Sequence, residues 1–314
     1  MGTNKCDGEN VNFLKKGLIS LDTICLCKAF HAEENMASNY KALLSTVPPK
    51  GCTTWLKGIP SSPLICLWIK INCHELLEVQ NLAAPDIERL TTIMNDWLGT
   101  VELTVNDLNV NRIDYDYNVP LQENVREVII DLLNGLPQRA MRMEKDSFPG
   151  SVYYVCRSRH AQIYDKVKER KDKHKKPKNW EENICRQEVQ CLAGHIKHMK
   201  RYYGLQPVWD NWVCPDMQAH YLRSAKPIFP RGDFYALDDA MDIIQASGLK
   251  PTKKKKLCRD LEIVSCCGLD GLKETYSLNT YKDHLNCLEN LGVNPLTLPQ
   301  KHRILRKVEN PFFH

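Results

Sequence analysis

Residues 108–118 read LNVNRIDYDYN, and the regular exchange of polar and apolar side chains along this stretch constrains the chain more than any other feature. Side chains on a strand point to opposite faces in turn. Arg112, Asp114 and Asp116 therefore share one face, while Ile113, Tyr115 and Tyr117 share the other. The segment predicts a half-buried strand whose polar face carries two carboxylates roughly 7 Å apart, close enough to flank one hard cation or to stand as solvent-face acids.

The same parity extends to two later segments. In AQIYDK it groups Gln162, Tyr164 and Lys166, and in NICRQEVQC it groups Arg186, Glu188 and Gln190. Asp165 by this rule points away from Tyr164. If the three strands are neighbours, one face of one sheet holds carboxylates, a phenol, an ammonium and guanidinium groups. A phenol with an ordinary pKa of about 10 is a poor nucleophile at neutral pH, and needs an adjacent cation to favour its anion. Lys166, or an Mg²⁺ or Mn²⁺ ion held by Asp114 and Glu188, can supply it, and such an ion also stabilises charge on a phosphodiester under attack.

Elsewhere strands and helices alternate. LISLDTICLCKAF (18–30) and LICLWIKIN (64–72) read as strands, separated by a Pro/Gly-rich passage. Helices are predicted from Ala84, at about 121–134 and at about 193–203, and Ser151–Val155 pairs with Ala161–Lys166 as a hairpin around CRSRH. Beyond residue 230 the strand signals vanish and three helical patterns follow. The expected fold is α+β: a mainly antiparallel sheet with helices packed on one face over 16–230, then a small all-α C-terminal domain over 231–314. The first fifteen or so residues are polar and expected to be loose.

Charge is uneven. The balance of 43 Lys and Arg against 38 Asp and Glu is modest. Residues 166–178, however, hold seven lysines and one arginine against two acids, and 250–259 hold five lysines and one arginine with no acid. Two such blocks point to a polyanion, nucleic acid first, although basic runs also occur as solvated faces. The fourteen cysteines are scattered, several inside apolar runs, with no CxxC pair and no secretory signal, so they are expected as reduced thiols of an intracellular, soluble protein without a structural zinc. No apolar run is long enough to span a bilayer, so no membrane partner is expected.

The order of LDTICLC, LICLWIKIN, the RID of NRIDYDYNV, GSVYY…SR…IYDK and RQEVQ followed by KRYYGL resembles the rolling-circle replication initiators of filamentous bacteriophages (the gene II/X family) and, more distantly, the Rep_trans initiators of small plasmids. The resemblance implies a metal-dependent nicking and closing enzyme that cuts one strand of origin DNA, forms a 5′-phosphotyrosine link and frees a 3′-hydroxyl primer. It places the nucleophile on Tyr164, with Lys166 beside it, and metal ligands on Asp114 and Glu188; Asp116, on the same strand face, is a further candidate ligand by parity. It also implies single-stranded and duplex origin DNA as partners, in the cytoplasm of a bacterial host, with a host helicase or polymerase and a homodimer as further candidates. No His-hydrophobic-His metal pair is present; His195 and His198 are spaced HxxH on a predicted helix.

A phosphate track is expected along Lys168, Lys171, Lys173, Lys175 and Lys176, with Arg157 and Arg159 at the hairpin tip and Arg112 and Arg186 on the polar face. Lys253, Lys254, Lys255 and Lys256 are expected to meet duplex backbone. Two alternatives stay open: a conjugative relaxase with the same chemistry, and a DNA-binding regulator with no catalysis.

Overall fold

The computed structural model describes residues 18–31, 37–59, 61–225, 228–299, 302 and 305–312. The expectation for the first fifteen residues lies outside these. The architecture is α+β and is organised on one nine-stranded sheet of order β2-β3-β1-β4-β9-β8-β7-β6-β5. Its strands are β1 (Leu18–His31), β2 (Cys52–Gly58), β3 (Leu64–Asn72), β4 (Asn109–Pro120), β5 (Arg139–Ala140), β6 (Met143–Phe148), β7 (Ser151–Val155), β8 (Arg159–Asp165) and β9 (Ile184–Cys191). Every neighbouring pair is antiparallel.

The register explains how the sheet divides. Tyr115 stands opposite Leu21 on one side and Val189 on the other, and Ile113 opposite Ile24 and Cys191. These side chains are buried. They meet helices α3 (Ala84–Gly99), α6 (Ala193–Tyr203), α7 (Trp209–Trp212) and α8 (Pro215–Ser224). Tyr115 donates its hydroxyl to the Trp212 carbonyl at 2.8 Å and stacks on Tyr221 with ring centroids 5.2 Å apart. Trp209 donates to Thr91 of α3 at 3.0 Å. Burying this apolar face is what holds the sheet to its helices. Helix α4 (Glu123–Leu133) covers the far half in the same way, through Val128, Ile129 and Leu132.

Two short helices, α1 (Ala37–Leu43) and α2 (Cys73–Leu77), complete the N-terminal half. Part of the Pro/Gly-rich passage is strand β2, paired with β3 from Cys52 to Gly58. The basic run also begins as structure: Lys166–Asp172 is helix α5, capped by Asp165, whose Oδ1 accepts from the backbone N–H of Val167 and Lys168.

The C-terminal region is built on α9 (Leu237–Ala246), α10 (Pro251–Thr275) and α11 (Leu278–Asn290), around Ala240, Ile244, Leu257, Leu261, Leu288 and Val293. It is not purely helical, because Phe234–Tyr235 (β10) and Lys307–Val308 (β11) pair as a two-stranded ribbon. Strands of two residues carry too little alternation to register in a sequence. Helix α10 is kinked at Gly268, whose φ of 66° and ψ of −172° only glycine adopts readily. The kink lets Leu269 donate to the carbonyl of Gly135 at 2.9 Å, clipping the helical region to the turn after α4.

Candidate active site

Parity on β4, β8 and β9 puts Asp114, Asp116, Tyr164, Glu188 and Arg186 on the sheet face opposite Tyr115. Asp116 pairs across to Glu188, Glu188 to Gln162, and Arg186 to Tyr164. The Tyr164 hydroxyl donates to Glu188 Oε2 at 2.8 Å, and Gln190 donates to Oε1 of the same carboxylate at 2.6 Å. Asp114, Glu188 and Asp22 each offer a carboxylate oxygen within 4.8 Å of the others. Phenol and acids thus meet in one place.

Asp22 was not among the residues picked from the sequence. It sits at a break in register: Leu21 pairs with Tyr115 and Thr23 with Asp114, leaving Asp22 as the extra residue of a β-bulge. A bulge re-aims a side chain, and here it turns the Asp22 carboxylate toward Arg186, whose NH1 lies 2.6 Å from Oδ1. The signal was present in LISLDTICLC, where the buried positions Leu21 and Ile24 are three residues apart and plain alternation fails.

The structure places the other expected residues as follows. Asp116 lies beside the group, but its Oδ2 takes His74 Nε2 at 3.0 Å, the Asn118 amide at 2.8 Å and Arg186 Nε at 3.2 Å. Asp22 stands in its place among the three acids. Arg186 is 2 % exposed and held by Asn118 Oδ1 at 2.7 Å as well as by Asp22. Here it orders carboxylates and is shielded from solvent, where the sequence predicts a phosphate contact. Arg112 grips Asp114 with both Nε (2.9 Å) and NH2 (2.6 Å).

Lys166 opens helix α5, so its side chain does not follow strand parity. It still comes back over Tyr164, with Nζ 5.5 Å from the ring centroid, and it is ion-paired to Glu169 at 3.2 Å. Asp165 points away from Tyr164, as parity required, and is held by Arg126 Nε at 2.8 Å.

The phosphate-track lysines divide. Lys168, Lys171, Lys175 and Lys176 are exposed, while Lys173 is paired to Glu169. Arg157 is exposed at the β7–β8 turn and Arg159 is half-buried. In the C-terminal region Lys255 and Lys256 are exposed on the first turns of α10, whereas Lys253 binds Asp283 and Lys254 binds the Gln245 carbonyl.

Electrostatics set the character of the site. Burial, with the neighbouring Glu188, pushes Asp114 up to about 8 despite the Arg112 guanidinium. Burial and the Asp22 charge raise Glu188 above the ordinary carboxylate range. Burial and Glu188 hold the Tyr164 phenol far above its usual value. Burial opposes ionisation of Asp22 too, but Arg186, Lys166 and His74 outweigh it and keep that carboxyl charged. The two buried acids of the three resist ionisation chiefly because burial strips them of water, even with Arg112, Arg186 and Lys166 close by. A hard divalent cation with oxygen ligands fits that donor set.

The fold and site together define an α+β protein with a buried phenol–carboxylate cluster on the polar face of an antiparallel sheet. No family model and no curated protein matches the sequence. Among solved structures the chain is similar to a rolling circle replication initiator protein from Geobacillus stearothermophilus, with a TM-score of 0.30 and 9 % identity over 90 % of this chain and 98 % of that one. A likeness that distant carries no argument, so the functional reading rests on the site. Among the described residues no helix is long and apolar enough to cross a membrane.

Proposed function

We propose that the chain is a replication initiator that nicks and rejoins one strand of origin DNA, with Tyr164 as nucleophile. The observation that carries this reading is the 2.8 Å hydrogen bond from Tyr164 to a carboxylate that is itself one of three acids grouped within 4.8 Å. Attack of the phenolic oxygen on a phosphodiester forms the phosphotyrosine O–P bond and breaks the bond to the 3′ oxygen. The phenolic proton passes to Glu188 Oε2, where it already points, and the departing 3′ oxygen takes a proton from solvent. Rejoining runs the same steps backwards and needs no nucleotide cofactor.

Asp22, Asp114 and Glu188 would hold the Mg²⁺ or Mn²⁺ ion, which supplies positive charge to the non-bridging oxygens. Arg112 and Arg186 orient two of these carboxylates, and Lys166 keeps a positive charge near the phenol. The exposed lysines of 168–176 and Arg157 lie on the chain immediately around β8 and provide the phosphate contacts expected of a strand entering here.

A second reading, DNA binding without cleavage, is favoured by one observation: Tyr164 is only 3 % exposed. One experiment separates the two. The full chain, with Mn²⁺ and supercoiled DNA of the replicon that encodes it, should give a covalent protein–DNA band, and mass spectrometry should find the nucleotide on Tyr164. Tyr164→Phe should give none. An adduct that survives that substitution, or no adduct from folded wild-type protein, overturns the nicking reading.

A further inference from the structure

The polar face of the sheet continues past the acids to β3 and β2, and there it changes character. Trp55 and Trp68 stand opposite each other in the register, with ring centroids 6.0 Å apart and planes within 5° of parallel. Pairing of Trp68 with Cys27, and of Cys25 with both Lys70 and Arg112, places the tryptophans on the same face as Asp114. Strand spacing and rise put Trp68 roughly 15–20 Å from Asp114 across that face.

This part of the face is open. The opposite face of the same strands carries Leu67, Ile69 and Ile71, all fully buried. By contrast Thr53, Trp55, Lys57 and Lys70 are exposed, with 39 % of Trp55 accessible. Neither β2 nor β3 contains an acid. The indole N–H of Trp68, itself turned away from solvent, has no acceptor among the described residues. The aromatic pair thus presents a half-buried and an exposed ring between two lysines.

We propose that Trp55 and Trp68 form a stacking platform for unpaired bases of single-stranded DNA, with Lys57 and Lys70 holding the adjoining phosphates. Three features favour this occupant. Flat aromatic faces take any base, so they suit a strand whose sequence is read elsewhere. The lysines complement a polyanion. The platform also lies on the same face as the nicking centre, so one extended strand can cross both. The inference deepens the nicking reading and rests on it for the direction in which the strand runs.

The test uses the full chain and fluorescently labelled oligo-dT, with EDTA present so that no cleavage occurs. Binding is followed by anisotropy and by quenching of tryptophan emission. Trp55→Ala and Trp68→Ala should each weaken binding by about tenfold or more, while Trp55→Phe, which keeps a ring, should stay within about threefold of wild type. Lys57→Gln with Lys70→Gln should flatten the salt dependence by about 1.4 in log–log slope. Trp55 is exposed, so its alanine variant should melt as wild type does, and its readout stands even if Trp68→Ala fails to fold. Wild-type affinity of Trp55→Ala for oligo-dT overturns the platform. Failure of the nicking reading looks different: no adduct on Tyr164, with tryptophan-dependent oligo-dT binding intact.

Discussion

The hydroxyl of Tyr164 donates to Oε2 of Glu188, one strand away on the same face of the sheet, at 2.8 Å. That bond gives the phenolic proton a destination. Glu188→Gln keeps an oxygen that accepts the hydrogen bond but removes the basic site, so adduct formation should fall by about 10²-fold or more with the fold intact. Single-turnover rates on an origin oligonucleotide, beside melting curves, check this. An unchanged rate would remove Glu188 as proton acceptor.

The three acids should bind a divalent ion and be stabilised by it. Saturating Mn²⁺, at a hundred times its dissociation constant, should add about 2.7 kcal/mol to the stability of wild-type protein. Asp22→Asn and Asp114→Asn should each lose most of that increment, and Asp114→Asn should be at least as stable as wild type without metal, since it removes a buried acid crowded by Glu188. Calorimetric titration and melting with and without Mn²⁺ decide the matter. Equal stabilisation of both variants would place the ion elsewhere.

Arg126 and Asp165 form a buried pair at 2.8 Å. Removing one partner of such a pair leaves an uncompensated charge, so Arg126→Ala should cost about 3 kcal/mol in urea unfolding. The double variant with Asp165→Asn should recover part of it. A loss under about 1 kcal/mol would show that the helix cap alone satisfies the aspartate.

His195 Nε2 shares a 2.8 Å hydrogen bond with the Tyr221 hydroxyl, and burial, with Arg159 and two further histidines, lowers it to about 4. The unfolded chain takes up this proton near 6.5 and the folded one only near 4, so between those values the unfolded state binds more protons. This contribution to stability is present above about pH 6.5 and is lost as pH falls toward 4. His195→Gln should shrink the difference between urea midpoints at pH 7 and pH 5. An identical difference in variant and wild type would exclude the histidine.

Lys255 and Lys256 project from the start of α10 without the partners that occupy Lys253 and Lys254. If they meet duplex phosphates, neutralising both should lower the salt slope of duplex binding by about 1.8. An unaltered slope would take the helical region out of DNA contact.

Much of this was legible in the sequence because strand parity is a strict rule. RIDYDYN, QIYDK and CRQEVQC each set one acid or phenol at a fixed parity, and the register confirms that Asp114, Tyr164 and Glu188 share one face. Asp22 escaped because the rule breaks at a bulge, where one extra residue shifts all that follows. The pairing of Arg186 was not legible, because parity tells which face a side chain takes but not whether acids on other strands will claim it. Strand β2 lay hidden in a passage rich in proline and glycine, since its pairing partner, not its own alternation, makes it a strand.

Asp165 ends the strand that carries Tyr164, starts the helix that follows and is tied to α4 through Arg126. The main chain immediately after the tyrosine is therefore anchored twice over. In the proposed reaction, then, access to the buried phenol has to come from the groups packed over it and not from a shift of the strand that carries it.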